Sequence, residues 1–218
     1  MARGFLLVDK DRGWTLHDVV AKVRRLAGAK RAGHAGTLDP MATGLVAVGL
    51  GRATRLLRFL QDLPKEYVAR VVFGVATDTL DADGAILSRE PLPCGEDDLR
   101  RVVPRFVGRV MQVPPMVSAL RVGGRRLYEL AREGKEVART PRPVDIYEIE
   151  LRDFAPGEYP EATMRVRCGK GTYVRSLADD LAQALGGRAH LSMLRRTRLG
   201  TLYVDADAHP IGTIEEAA

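Results

Sequence analysis

Glu161-Ala162-Thr163-Met164-Arg165-Val166-Arg167-Cys168 alternates without a break, with Ala162, Met164, Val166 and Cys168 on one side and Thr163, Arg165 and Arg167 on the other. That period of two predicts a strand with one buried and one basic face, as a half-covered antiparallel sheet requires. The period then changes. Leu177, Leu181 and Leu185 stand one helical turn apart, which predicts a helix over 174–185 stopped by Gly186. Working outward, 5–8, 66–74 and 144–154 read as further strands, and 96–106 and 127–133 as helices, the latter ended by Gly134. Thr15 and Asp18 form a capping pair ahead of Val19, Val20, Val23 and Leu26 at helical spacing, with Gly28 to close. Residues 30–45, rich in Gly, Thr, Asp and Pro, read as a loop. Strands and helices keep no regular βαβ beat, so the expected class is α+β, with a mixed, largely antiparallel central sheet flanked by helices and loops.

With 218 residues, 45% of them hydrophobic and 28% charged, the chain can build a packed core. No apolar run approaches the roughly 20 residues of a membrane span, so a cytoplasmic location is expected. Cys94 and Cys168 lack C-x-x-C spacing, and the four histidines show no ligand pairing, so neither a metal nor a disulfide framework is expected. The net charge of +6 is uneven: residues 165–200 hold eight arginines and lysines against Asp179 and Asp180. Clustered cations of this kind suit either a polyanionic partner or a merely solvated basic face.

The segment His34-Ala-Gly-Thr-Leu-Asp-Pro-Met-Ala-Thr-Gly-Leu45 carries most of the chemistry. Asp39 precedes Pro40 and is pushed toward extended backbone, so its carboxylate is positioned rather than free to swing. The spacing alone favours an Asp-Pro turn bonded to its own backbone. Neither G-x-x-x-x-G-K-[ST] nor G-x-G-x-x-G is present, which disfavours a nucleotide cofactor. Other segments of the same kind are Lys65-Glu-Tyr67, the acidic run Asp78 to Asp83, Lys170-Gly171-Thr172-Tyr173-Val174-Arg175 and Leu194-Arg195-Arg196-Thr197. Read singly, Tyr67 is a half-buried strand aromatic, 78–83 a polar hairpin turn and Arg175 a phosphate contact.

Read together and in order, these blocks resemble the pseudouridine synthases of the TruB family. The family pattern G-x-L-D-P-x-A-x-G-L is matched by Gly36, Leu38, Asp39, Pro40, Ala42, Gly44 and Leu45, and the likeness extends from about residue 4 to residue 200. It departs at Lys10-Asp11-Arg12-Gly13-Trp14-Thr15-Leu16, where the family usually reads K-P-x-G-x-T-S. The resemblance implies a pseudouridine synthase catalytic domain over 1–200. The remaining 201–218 are expected to be a short extension without a full RNA-binding PUA domain.

By the same resemblance, the activity is isomerisation of uridine 55 in the T loop of tRNA, with base flipping and without cofactor or metal. Asp39 is the catalytic carboxylate, Arg175 its orienting partner, and Tyr67 stacks on the uracil where it can take part in proton transfer. Leu194 forms the opposite apolar wall, and His34 fills the vacated stacking position. Lys10, Tyr173 and Asp81 support the site, and basic residues of 165–198 hold phosphates. A monomer acting on the T arm is expected. The alternatives are a non-catalytic tRNA-folding chaperone on the same fold, or a relative that depends on a guide RNA.

Overall fold

The computed structural model describes residues 2–214. In chain order the elements are β1 (Gly4–Lys10), α1 (Leu16–Leu26), β2 (Ala32–His34), β3 (Thr43–Leu50), a 3-10 turn (Gly51–Leu56), α2 (Leu57–Asp62) and β4 (Lys65–Phe73). There follow β5 (Val75–Thr77), β6 (Ile86–Arg89), α3 (Glu96–Val102), a second 3-10 turn (Val103–Phe106), β7 (Gly108–Gln112), β8 (Arg121–Val122), β9 (Arg125–Arg126) and α4 (Leu127–Arg132). The chain continues with β10 (Arg142–Ala155), β11 (Glu161–Cys168), α5 (Val174–Ala184), β12 (Ala189–Leu199), β13 (Leu202–Tyr203), α6 (Val204–Asp207) and β14 (His209–Pro210). The class is α+β with a mixed, largely antiparallel sheet, as expected. Contacts divide the chain into two units, one of residues up to Val68 together with those from Leu194 on, the other of Ala69–Met193.

In the first unit β3 is the central strand. Its apolar run Leu45 to Val48 is fully buried, as a strand covered on both faces demands. One edge of β3 pairs antiparallel with β1 from Lys10↔Gly44 to Gly4↔Leu50. The other edge is shared between β12, parallel at Arg195↔Thr43 and Arg196↔Gly44, and β2, antiparallel at Ala32↔Leu50 to His34↔Val48. Gly44 is required here: a Cβ would sit 2.2 Å from the Arg196 carbonyl oxygen, at φ +102°. The Thr15–Asp18 capping box is present, with Thr15 Oγ1 donating to Asp18 Oδ2 at 2.6 Å; such a cap stabilises a helix by about 1 kcal/mol. Val8 and Asp9 pair with His209 and Pro210 of β14, so 201–214 is tied into this unit. Residues 215–218 of the expected extension lie outside the described residues.

In the second unit β10 lies between β11 and β7, antiparallel to both. The alternation along β11 is as expected: Ala162, Met164, Val166 and Cys168 are buried, Thr163 and Arg165 half-buried, Arg167 exposed. α5 buries Leu177, Ala178 and Leu181, and Gly186 follows at φ +91°. The acidic run 78–83 is the connection of the β5–β6 hairpin.

Two expectations need correction. Residues 30–45 are not all loop, because β2 and the start of β3 fall inside them. The predicted helix over 96–106 is α-helical only to Val102, where Pro104 lacks an N–H for the next bond and the chain tightens into a 3-10 turn.

Candidate active site

The Asp39 turn is built by burial on either side of it. Leu38 and Met41 are each only 4% exposed, whereas Asp39 is half-buried and Pro40 exposed. The amide of Ala42 donates to the Asp39 carbonyl at 3.1 Å and closes the turn. The carbonyl of Pro40 accepts from the Gly13 amide at 2.8 Å and from Lys10 Nζ at 3.1 Å. Lys10, wholly buried, also donates to the carbonyls of Asp11 and Trp14. From the other side Arg196, equally buried, donates through Nε to Leu45 O at 2.6 Å and through Nη1 to Thr37 O at 3.4 Å. Two buried cations therefore hold the backbone on both sides of one accessible carboxylate.

The electrostatics follow from that enclosure. Burial lowers the Lys10 pKa to about 8; the Asp39 and Asp11 charges oppose the shift and Arg196 adds to it. Burial chiefly, and then the Arg196 charge, also lowers the pKa of His34, against a backbone hydrogen bond at Gly36. At neutral pH the half-buried imidazole is uncharged, and its buried Nδ1 has no hydrogen-bond partner among the described residues.

Tyr67 and Leu194 belong to the same side of the sheet as this turn. A Cβ placed on Gly36 would meet Arg196 Nη1 at 3.8 Å and Lys65 Cε at 3.9 Å, so both side chains reach the start of the Asp39 turn. Residues two apart on a strand share a face, which puts Tyr67 with Lys65 on β4 and Leu194 with Arg196 on β12. Thr197 Oγ1 bonds Glu66 Oε1 at 2.9 Å and joins these two strand segments. Tyr67 is 8% exposed and Leu194 5%.

Arg175, Asp81 and Tyr173 belong to the second unit. Arg175 opens α5 and is 2% exposed. It donates to Thr79 O at 2.6 Å and Val117 O at 2.9 Å, and its Nη1 lies 3.4 Å from Asp81 Oδ2. Within its own unit Arg175, the expected orienting partner of Asp39, makes an ion pair with Asp81. Asp81 Oδ1 in turn accepts from Thr79 Oγ1 at 2.6 Å and the Asp83 amide at 3.1 Å. Between them Leu80 has φ +62°, a conformation costing a leucine about 1–2 kcal/mol, and this arginine-held loop sustains it. The Tyr173 backbone is matched at both N–H and C=O by the Gln112 side-chain amide, at 2.8 and 3.1 Å.

Several cations of the basic stretch 165–198 have partners within the protein, while Arg167 and Lys170 are exposed. Arg175 and Arg196 are interior; Arg188 pairs with Asp179 at 2.8 Å, Arg195 with Asp9 at 2.8 Å, and Arg165 with Glu148 and Glu150 at 2.7 and 2.6 Å. Sequence reasoning missed Lys65 and Arg196 as interior cations. A signal existed for Lys65, which is in phase with Tyr67, Ala69, Val71 and Phe73 on the buried face of β4.

The fold is the pseudouridine synthase fold. The chain aligns with a protein of the crystal structure of a Cbf5-Nop10-Gar1 complex at TM-score 0.75 and 31% identity, over 98% of this chain and 54% of that one. It aligns comparably with a protein of the H/ACA RNP bound to a substrate RNA containing 2′-deoxyuridine, at TM-score 0.72 and 29% identity, over 98% and 52%. Residues 24–174 match the model of the TruB family pseudouridylate synthase N-terminal domain, and 175–218 that of the tRNA pseudouridylate synthase B C-terminal domain. The chain belongs to the TruB family. It is 50% identical to the tRNA pseudouridine synthase B of Symbiobacterium thermophilum, over 99% of this chain and 71% of the relative. It is 48% identical to that of Opitutus terrae, over 97% and 87%.

Proposed function

We propose that this chain is a tRNA pseudouridine synthase, which isomerises uridine 55 of the T loop: the N1–C1′ bond breaks, the uracil turns, C5 joins C1′ and loses its proton, and N1 ends protonated. The observation that carries this reading is the accessible Asp39 carboxylate on a turn held by Lys10 and Arg196. A fixed charge beside buried cations suits a group that acts at the sugar as nucleophile or as base, since it needs no rearrangement during the reaction. The target base must leave its stack to reach this carboxylate. Tyr67 and Leu194, on the same side of the sheet, sandwich the flipped uracil, and the uncharged His34 ring fills the gap it leaves. Arg175 keeps the role that the family resemblance implies, orienting the Asp39 carboxylate, and within its own unit it holds the Asp81 loop, with Tyr173 and Gln112 bracing the start of α5. The chemistry is redox-neutral, and no cofactor or metal is invoked.

The protein works as a monomer on the T arm, in the cytoplasm; among the described residues no helix is long and apolar enough to cross a membrane. Its catalytic domain covers 1–200, and 201–218 follow it. The test is Asp39→Asn, which keeps shape and removes charge, assayed on unmodified tRNA and on an isolated T-arm stem-loop, with no guide RNA added. The expected result is that wild type modifies both substrates, while the variant binds RNA and forms no pseudouridine. Modification by the variant at the wild-type rate, or activity that required a guide RNA, would overturn the reading.

A further inference from the structure

Most of the 165–198 arginines already have partners within the protein, and a second basic stretch carries charge that is not so engaged. Residues 22–31 supply Lys22, Arg24, Arg25, Lys30 and Arg31 with no carboxylate among them. Arg24, Arg25, Lys30 and Arg31 are exposed, and none has a carboxylate partner among the described residues. A groove runs along this face of α1, lined by Trp14, Asp18, Lys22, Arg24, Arg25 and Gly28. Trp14 is half-buried in it, with Lys22 Nζ 5.6 Å from the ring centroid. The one carboxylate in the lining, Asp18, already accepts from the Thr15 amide and hydroxyl in the capping box. At Gly28 a grafted Cβ would meet nothing within 4 Å, so the groove is open at that end.

Cations in a last helical turn also offset the helix dipole. That accounts for Arg24 and Arg25 but not for Lys30 and Arg31, which lie beyond the helix. Position supplies a further argument. Arg31 leads directly into β2, so it stands about three strand residues, roughly 10 Å, from His34.

We infer that the groove formed by Trp14, α1 and the turn at Gly28–Ala29, with Lys30 and Arg31 next in sequence beyond its lining, receives the sugar–phosphate backbone of the substrate RNA stem adjoining the target loop. The occupant is a polyanion whose phosphates meet the four exposed cations, while the Trp14 ring offers a flat apolar floor to a sugar or an end base. This rests on the reading of the chain as an RNA-modifying enzyme and adds where the stem is held.

Trp14 is the single tryptophan of the chain, so its fluorescence reports the groove directly. The full-length protein is titrated with a T-arm stem-loop over a range of salt, as wild type, as Arg24→Glu/Arg25→Glu, and as Lys30→Glu/Arg31→Glu, the last leaving α1 untouched. RNA is expected to quench Trp14 in the wild type. Each double variant is expected to weaken binding at least tenfold and to flatten the log Kd against log salt slope by about 0.7–0.9 for each phosphate no longer neutralised. Its kcat at saturating RNA should stay at the wild-type value. Unchanged affinity and slope in both variants, with an active wild type, would overturn the inference. So would quenching by anionic lipid vesicles with none by RNA. A wild type that binds RNA through this groove but forms no pseudouridine would instead overturn the proposed function and leave the groove assignment standing.

Discussion

The ammonium of Lys10 donates to the carbonyl oxygen of Pro40 at 3.1 Å, one peptide beyond the Asp39 carboxylate. A fully buried lysine is charged at neutral pH here, and its proton is held less tightly than in water.

The first prediction is a pH dependence. Lys10 has a pKa of about 8, so it carries its charge below that value and loses it above. The grip on Pro40 and the positive field on Asp39 weaken together as pH rises. Single-turnover rates should therefore fall on the alkaline side with an apparent pKa near 8. Lys10→Met, which roughly keeps the volume and removes the charge, should be slow at every pH and lack that fall. A wild-type rate still level at about pH 9.5 would separate Lys10 from the chemistry.

Tyr67→Phe keeps the stacking ring and removes the hydroxyl. If this hydroxyl moves a proton, kcat should drop by about 10²-fold or more with little change in KM. Tyr67→Ala should raise KM as well, because the wall of the uracil pocket is gone. Equal, small effects of the two changes would take Tyr67 out of the site.

Arg175 and Asp81 are an interior pair, 2% and 7% exposed at their side chains. Arg175→Ala strands a buried carboxylate and should destabilise the fold by about 3–5 kcal/mol. Arg175→Lys keeps the charge but cannot reach Thr79, Val117 and Asp81 at once with a planar fork. Urea unfolding of Arg175→Ala, Asp81→Asn and the double variant should show a double loss smaller than the sum of the singles. Strict additivity would mean that the pair is not coupled.

Gly44→Ala would bring a methyl group against the Arg196 backbone, at a φ that side chains rarely adopt. A stability loss of at least about 3 kcal/mol is expected from the combined strain and clash. An unchanged urea midpoint would show that the two strands can part without cost.

What the sequence made legible was local. Thr15 and Asp18 face each other across one helical turn, and Ala162 to Cys168 alternate within a single strand, so both elements can be read from adjacent residues. β3 escaped because its Gly-flanked apolar run follows a glycine- and proline-rich stretch and reads as more of the same loop. β12 escaped because its arginines look like surface. Arg196 is interior only because Thr37 and Leu45, 159 and 151 residues earlier, offer their carbonyls. The identities of Asp39, Tyr67 and Leu194 came from ordered blocks resembling a family. Lys10 came from the same blocks; Arg196, the second cation holding the Asp39 turn, could be found only by folding the chain.

The contact at Gly44 has a mechanical consequence. With no side chain between them, β3 and β12 meet backbone to backbone, and the segment bearing Leu194 is joined to the strand on which the Asp39 turn ends. The carboxylate and the apolar wall then shift as one body. A uracil pocket framed as proposed would then work as a fixed gauge rather than a pair of jaws, and the motion needed to present the base would fall to the RNA.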